Sequence, residues 1–302
     1  MGTLSNSLRA KPAQAARTLL GAFDRLEVEE QAAFLTLPLL LLYVEDHWYV
    51  KIPVVVLSLA GLLFSPLRKG PYFWFAIVCF TAAGLYYGWA DADNHKYLIT
   101  YWCLAFFFAR LTPSEGALQT SARWLIGLAF LFAVVWKFLT PDFINGDFFQ
   151  YTFLFDERFS GKLKLFGALA PDAVDYNLLA KGALTAYDSR LYEVDLLTNP
   201  RWGPWVTGLV WWTLVVEGLI ALCFLLPKRS RLAPLGDVCL ILFLLSTYLV
   251  APVIGFGSII ATMGIIQCDA SRWKTRLSYI VVLLLMQLYR LPWASIADSM
   301  SQ

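Results

Sequence analysis

Long apolar stretches alternate with short polar breaks along most of the chain. A spanning helix needs about 20 consecutive apolar residues, and fewer where flanking side chains reach the interface or the bilayer thins. The pattern therefore predicts a series of membrane-spanning helices. The candidate segments lie near residues 31–45, 51–67, 71–90, 96–111, 121–139, 205–227, 234–251, 252–268 and 275–292.

Composition favours the same fold class. The 302 residues are 59% hydrophobic and 15% charged, and the mean hydropathy is +0.60, which differs from an average soluble domain. The first, second and eighth segments are short, and pairs of them could instead be re-entrant or interfacial. We predict an all-α, multi-pass integral membrane helical bundle of about 7–9 spans, surrounded by membrane lipid.

Three further segments complete the predicted organisation. Residues 1–30 are predicted to form an amphipathic helix on the cytoplasmic membrane face, ahead of a transmembrane domain at 31–292. Within that domain, 140–204 alternates short apolar runs with Pro, Asp and Gly. Because a structureless connection of this length is uncommon, we predict a small helical cap on the outer face. Residues 293–302 form a tail.

Loop charge predicts the orientation, because translocation disfavours Lys and Arg in short loops. Every alternate connection between the predicted spans carries basic residues. The connections between those, at 45–51 and 91–96, are acidic or neutral. The N-terminus is therefore placed in the cytoplasm, and His95 and the cap on the outer face. Basic residues recur in alternate connections, at Arg68 and Lys69, at Arg110 and Arg123, at 228–231 and at Arg272.

Charge and cysteine content exclude several function classes. The net charge of +2 is small and the basic residues are scattered, so no nucleic-acid partner is expected. The five cysteines lie in or beside apolar segments without a CxxC pair, so neither a disulfide framework nor a dithiol redox enzyme is supported. With only two histidines, far apart in sequence, no metal is expected.

Two polar residues are predicted to lie at a similar depth near the outer face. His95 begins the fourth span, and Lys137 lies close to the outer end of the fifth. Either could be ordinary: His95 a turn residue, and Lys137 a lysine whose ammonium reaches the interface. The alternative is a site in which an amine in an apolar pocket acts as a base and the histidine orients it.

Glu217 is a carboxyl group near the middle of the sixth span. An unpaired charge there is costly, so it should be protonated or paired inside the bundle. A structural contact between helices and a functional carboxylate both remain open.

Two stretches resemble one known family. "NHKYL", Asn94 to Leu98, resembles the Asn-His-x-Tyr-Leu that follows an aromatic-rich span in the vitamin K-dependent gamma-carboxylase superfamily, also called the HTTM (horizontally transferred transmembrane) domain. "LAFLFAVVWKFLTPDFINGDFF", Leu128 to Phe149, resembles its next span, with a lysine and a Pro-Asp-aromatic turn. "VVEGLIALCFLLPKRSRLAPLG" resembles its Glu-bearing span. The resemblance covers roughly 70 to 285.

This resemblance implies a site and a ligand class. It implies that Lys137 and His95 are catalytic, with Asn94, Tyr97 and Glu217 supporting them. It also implies vitamin K hydroquinone or another quinone as cofactor, and carboxylase- or epoxidase-like lyase chemistry. The expected setting is the plasma (inner) membrane of a bacterium.

Rival functions stay open at this point, including whether the protein is an enzyme at all. Small proteins of this class also resemble components of peptide-toxin systems, which implies a non-catalytic maturation or immunity factor for a secreted peptide or partner protein. A small-solute transporter has little support beyond Glu217, because matching repeats are missing from the sequence.

The predicted orientation can be tested by labelling in intact cells. In a chain whose five cysteines have been replaced, Asp93→Cys should react with a membrane-impermeant maleimide added outside, and Ser230→Cys should not. The reverse labelling pattern would overturn the orientation.

Overall fold

The computed structural model describes Gly21 and residues 25–43, 47–90, 92–156, 173–186, 196–198, 202–250 and 253–288. These residues form helices and connections, and no strand occurs among them. The prediction of an all-α fold is confirmed. The helices are α1 Val28–Tyr43, α2 Trp48–Leu63, α3 Ser65–Lys69, α4 Pro71–Tyr87, α5 Asn94–Leu111, α6 Ala117–Leu139, α7 Pro141–Ile144, α8 Asp147–Phe155, α9 Ala173–Ala186, α10 Trp202–Leu225, α11 Ala233–Val250, α12 Ile254–Gln267 and α13 Trp273–Gln287, with a 3₁₀ turn at Ala270–Arg272.

The predicted apolar segments coincide with α1, α2, α4, α5, α6, α10, α11, α12 and α13. The second segment ends earlier than predicted, because Phe64 is extended and the separate helix α3 begins at Ser65 with Pro66 in its first turn. Helix α1 begins at Val28, inside the segment predicted as 1–30. The remainder of that segment, apart from Gly21 and residues 25–27, and the tail at 293–302 lie outside the described residues.

Among the described residues, two helices are long and apolar enough to cross a membrane, α6 with 23 residues and α10 with 24. Four shorter apolar helices, α2, α4, α11 and α12, accompany them. The segment predicted as a cap contains α7, α8 and α9, so most of its described residues are helical.

Helix α12 is the centre of the bundle. Its residues from Gly257 to Gln267 are all buried, and α1, α5, α6, α11 and α13 pack against it. The largest buried side chains around this core are aromatic; Trp74 and Phe106 stack with ring centroids 3.9 Å apart. This packing brings the helix ends together in two groups.

At one end of the bundle, the starts of α1, α6, α11 and α13 meet the ends of α2, α5, α10 and α12, and this end is called the Asp237 end. Asp237 is 2% exposed and accepts hydrogen bonds from Gln267 (2.7 Å), Arg272 (2.6 Å) and Tyr279 (2.8 Å). One carboxylate therefore joins α11, α12, the 3₁₀ turn and α13.

Two further buried contacts lie at the same end. Arg68 Nη2 lies 2.8 Å from Glu30 Oε2, which ties α3 to α1. Arg123 donates to the carbonyl oxygens of Cys223 (2.6 Å) and Leu226 (2.9 Å). Because the last carbonyls of a helix lack partners within it, Arg123 caps α10 and joins it to α6.

The Asp237 contacts should contribute strongly to stability. Asp237→Leu leaves Gln267, Arg272 and Tyr279 without their shared acceptor, and we expect the free energy of unfolding to fall by roughly 3 kcal/mol. The exposed Asp269 provides the control, because Asp269→Asn should change the free energy of unfolding by less than about 0.5 kcal/mol. Denaturant unfolding of both variants in the same detergent measures the difference. Equal stabilities would show that the contacts at Asp237 are dispensable.

Candidate functional site

The structure pairs two of the candidate residues. Lys137, in the last turn of α6, lies with its Nζ 2.6 Å from Oε2 of Glu217 in α10. The Lys137 side chain is 19% exposed and the Glu217 side chain 7%. The expectation that Glu217 finds a partner inside the bundle agrees with this contact, and Lys137 directs its ammonium to that carboxylate.

The chain following α6 covers the pair. Thr140 is extended and Pro141 starts α7, which carries Phe143 back over Lys137. The Phe143 ring centroid lies 5.3 Å from Lys137 Nζ, within the range of a cation–π contact. Phe143 itself is buried against Val210 and Leu214 of α10. The helix that carries Glu217 therefore also holds in place the ring that covers Lys137.

A left-handed glycine directs the next turn of the chain. Gly146 has φ +86° and lies between α7 and α8, and a Cβ there would overlap Val206 of α10. Glycine satisfies both requirements, since it adopts positive φ readily and has no side chain. The close contact keeps α7 and α8 along the first half of α10.

Within the described residues, the pair supplies two complementary groups in an apolar setting. The carboxylate can accept a proton or hydrogen bond, and the ammonium can stabilise a nearby negative charge. Coulomb attraction is stronger here than in water, because the surroundings are of lower dielectric.

His95 lies at the opposite end of the bundle from Asp237, called the His95 end. Its ring packs over the backbone of Gly255, where a Cβ would lie 2.9 Å from His95 Cδ2. The Tyr43 ring stands edge-on to it with centroids 6.4 Å apart, and Nδ1 is 3.8 Å from Oδ2 of Asp93. Among the described residues, no hydrogen bond, ion pair or ring contact joins His95 to Lys137.

The other two supporting candidates lie beside His95. Asn94 is the exposed first residue of α5, and the Tyr97 hydroxyl donates to the carbonyl of Trp89 over 3.3 Å. These contacts stabilise the turn from α4 into α5. Lys137 thus contacts Glu217, while His95 contacts Gly255 and Tyr43; the pairing of His95 with Lys137 stays a prediction.

A third polar group escaped the sequence analysis. Tyr43 donates to Gln287 Oε1 (2.9 Å), and Gln287 Nε2 donates to Ser258 Oγ (2.9 Å). This chain links α1, α13 and α12 next to His95. The sequence signal was two polar residues, Ser258 and Gln287, within apolar segments, and neither carries a charge whose burial would have marked it.

Metal ligands do not gather in the described part of the chain, where no group of three or more His, Cys, Asp or Glu side chains could hold an ion. The chain matches no family model, no curated protein sequence and no solved structure. The family resemblance of its motifs therefore stays a prediction.

The Lys137–Glu217 contact predicts an asymmetric response to substitution. Lys137→Met leaves a buried carboxylate without its counter-charge and should cost roughly 3 kcal/mol of stability. Glu217→Gln keeps an oxygen acceptor for the partly exposed lysine and should cost about 1 kcal/mol. The double variant should be more stable than Lys137→Met alone, because no buried charge remains. Unfolding measurements on all three variants test this, and additive losses would contradict it.

Proposed function

We propose that the chain is a multi-pass membrane protein of the HTTM class, with α1, α2, α4, α5, α6, α10, α11, α12 and α13 as its spans. The distribution of side chains supports this proposal. Large apolar residues on the sides of the bundle are exposed, including Val56 (58%), Phe132 (65%) and Leu284 (61%), whereas Ser58, Thr262 and Asp237 are buried. Lipid solvates such a surface and water does not.

The short helices are compatible with this arrangement. Helix α12 has 14 residues and so extends about 21 Å, which is less than the hydrocarbon core of about 30 Å. Because its neighbours enclose it, α12 needs no lipid-facing length of its own. The exposed Lys69, Arg229 and Lys274 lie at the Asp237 end, which we place in the cytoplasm by the positive-inside rule. The membrane proposed is the plasma (inner) membrane of a bacterium.

We infer that the Lys137–Glu217 pair binds a lipid-soluble hydroquinone or a related quinone. The observation that carries this proposal is the 2.6 Å contact between Nζ and Oε2 beneath the Phe143 ring. A carboxylate acceptor, an ammonium donor and an aromatic face suit a flat ligand with a weakly acidic hydroxyl group. When bound, such a ligand supplies the redox chemistry that carboxylase- or epoxidase-like reactions use.

The role of the chain's own residues is to move and hold a proton. Glu217 Oε2 accepts a proton from an acidic hydroxyl and becomes a neutral acid, which leaves the anion of the ligand beside the Lys137 ammonium. While Lys137 is protonated, its positive charge offsets the negative charge that develops beside it. The Phe143 ring covers Lys137 and keeps water away from the pair, which keeps the electrostatic interactions between Lys137, Glu217 and the ligand strong. His95, whose ring packs against Gly255, is proposed to line the outer side of the binding site at the Lys137–Glu217 pair.

Ligand binding provides the direct test. Protein in lipid nanodiscs is titrated anaerobically with a naphthohydroquinone, following tryptophan fluorescence, and oxygen uptake is then recorded in air. We expect saturable binding that weakens at least about tenfold, or 1.4 kcal/mol, in Lys137→Met and in Glu217→Gln. Lys181→Met is the matched control, because Lys181 contacts Tyr151 and Phe155 of the cap helix instead.

The outcomes separate the candidate functions. If no hydroquinone or quinone binds to the unaltered protein, the ligand proposal is wrong and a maturation or immunity factor becomes the better hypothesis. If binding survives in both pair variants, the pair is not the site. Binding without hydroquinone-dependent oxygen uptake would leave a ligand-binding protein and remove the catalytic part of the proposal.

A further inference from the structure

Three charged side chains meet where α1, α3 and α5 come together at the Asp237 end. Glu30 lies in the first turn of α1, Arg68 in the last turn of α3 and Arg110 in the last turn of α5. Their side chains are 8%, 7% and 15% exposed, in that order. Charges buried to this degree are costly unless each is paired and hydrogen-bonded, so their contacts show which of them needs a further partner.

Arg68 is well supplied with acceptors. Its Nε donates to Glu30 Oε2 (2.8 Å), and its Nη1 donates to the carbonyl oxygen of Gly61 (2.8 Å). The Phe34 ring lies against its guanidinium, 4.4 Å from the centroid, and the Trp74 indole donates to the Arg68 carbonyl (2.8 Å). Arg68 and Oε2 of Glu30 therefore satisfy each other and fix the position of the carboxylate.

Arg110 lacks acceptors of this kind. Among the described residues its one ion pair is with Glu30, whose Oε1 lies 3.6 Å from Nη2, beyond hydrogen-bond distance. Nε and Nη2 of Arg110 are enclosed there without a hydrogen-bond partner, and so is Glu30 Oε1. Buried N–H groups are nearly always paired in proteins, so the guanidinium of Arg110 needs an acceptor from outside this group.

The charges of the group do not balance. Arginine stays protonated in proteins, so Arg68 and Arg110 contribute two positive charges against the one negative charge of Glu30. One positive charge is therefore left over, and it lies on the residue whose donors are unpaired. An anion satisfies both requirements, because it supplies acceptor oxygens and the missing negative charge.

The surface beside Arg110 is apolar, which indicates where the anion comes from. Phe108 (53% exposed) and Leu111 (45%) lie on the same end of α5, and Leu67 (46%) lies next to Arg68. The exposed Lys69 follows at the end of α3. In the membrane arrangement proposed above, acyl chains meet head groups at this level on the cytoplasmic side. A ligand with an anionic head and apolar chains matches these surroundings.

We propose that Arg110 binds the phosphate group of an anionic phospholipid from the cytoplasmic leaflet. A guanidinium offers parallel N–H groups that match two phosphate oxygens, and basic sites between helices on the cytoplasmic side suit anionic head groups. The partial exposure of Arg110 lets the phosphate approach from the interface, and a small rotation of the side chain brings its unpaired donors to the phosphate oxygens. This lipid site rests on the proposed membrane placement and not on the ligand of the Lys137–Glu217 pair.

A binding role and a structural role of Arg110 predict different responses to Arg110→Gln. As a structural partner of Glu30, Arg110 would stabilise the protein with or without lipid. As a lipid ligand it is an unsatisfied cation in lipid-free protein, so Arg110→Gln should melt there at the same temperature or higher. The variant should instead lose the stabilisation that the lipid provides, because only the folded protein binds it.

Thermal unfolding in an uncharged detergent measures both responses. Dioctanoylphosphatidylglycerol, dioctanoylphosphatidylcholine and inorganic phosphate are added separately at matched concentrations. We expect the phosphatidylglycerol to raise the melting temperature of the unaltered protein by about 5 °C at saturation. The other two should act much more weakly, because the choline carries its own positive charge and inorganic phosphate has no apolar chains.

The variants locate this effect. Arg110→Gln should raise the phosphatidylglycerol concentration needed for half of the shift at least about tenfold. Arg110→Lys keeps the charge but loses the paired N–H groups, so it should also bind more weakly. Arg229→Gln is the matched control, because Arg229 is an exposed arginine at the same end of the bundle, and its response should equal that of the unaltered protein.

An unchanged half-saturating concentration in Arg110→Gln would overturn the site, and a lower melting temperature without lipid would then assign Arg110 a structural role. If Arg110→Gln does not fold, an unchanged concentration in Arg110→Lys overturns it equally. Inorganic phosphate as effective as the phosphatidylglycerol would contradict the lipid and the membrane level given to this end. No response to any of the three additives contradicts an anion site altogether. None of these outcomes affects the hydroquinone titration, because Lys137 lies at the other end of the bundle.

Discussion

The bundle depends on one constraint: side chains of α11 and α13 pack directly against the backbone of α12 at two glycines. A Cβ at Gly264 would lie 2.6 Å from Tyr279 Cε1, and a Cβ at Gly257 would overlap the Tyr248 ring. Larger residues would force α11 and α13 away from the centre, because packed interiors have little free space. That displacement would also separate Tyr279 from Asp237 and so weaken the contacts that join four elements at that end.

Buried charge is used differently in the two parts of the molecule. Asp237 receives hydrogen bonds from Gln267, Cys268, Arg272 and Tyr279. Arg123 donates to two carbonyls at the end of α10. Groups satisfied in this way fix the positions of helix ends and have little capacity left for a ligand. Lys137 and Glu217 share a single hydrogen bond within the described residues, and Lys137 retains some exposure. A pair of that kind keeps donor and acceptor capacity for a third group.

The sequence marked the members of the site but could not assemble it. Lys137 and Glu217 were each noticeable because a charged residue in an apolar span is costly. They are 80 residues apart, and their contact depends on the rotation and axial offset of α6 against α10, which hydrophobic periodicity does not specify. His95 was expected beside Lys137 because both lie near the same end of their spans. Depth along a span, however, leaves open which neighbour a residue meets, and His95 contacts Gly255 and Tyr43.

The sequence by itself determined that the chain is all-helical and where most of its long helices lie, because apolar length and the placement of Pro and Gly act locally on the backbone. Local rules also marked the polar residues that would need partners. Only the tertiary structure decided which partners these are and that α12 is enclosed. These features arise from side chains of distant segments fitting together, and the energy of such a fit belongs to the pair of surfaces and not to either stretch of sequence.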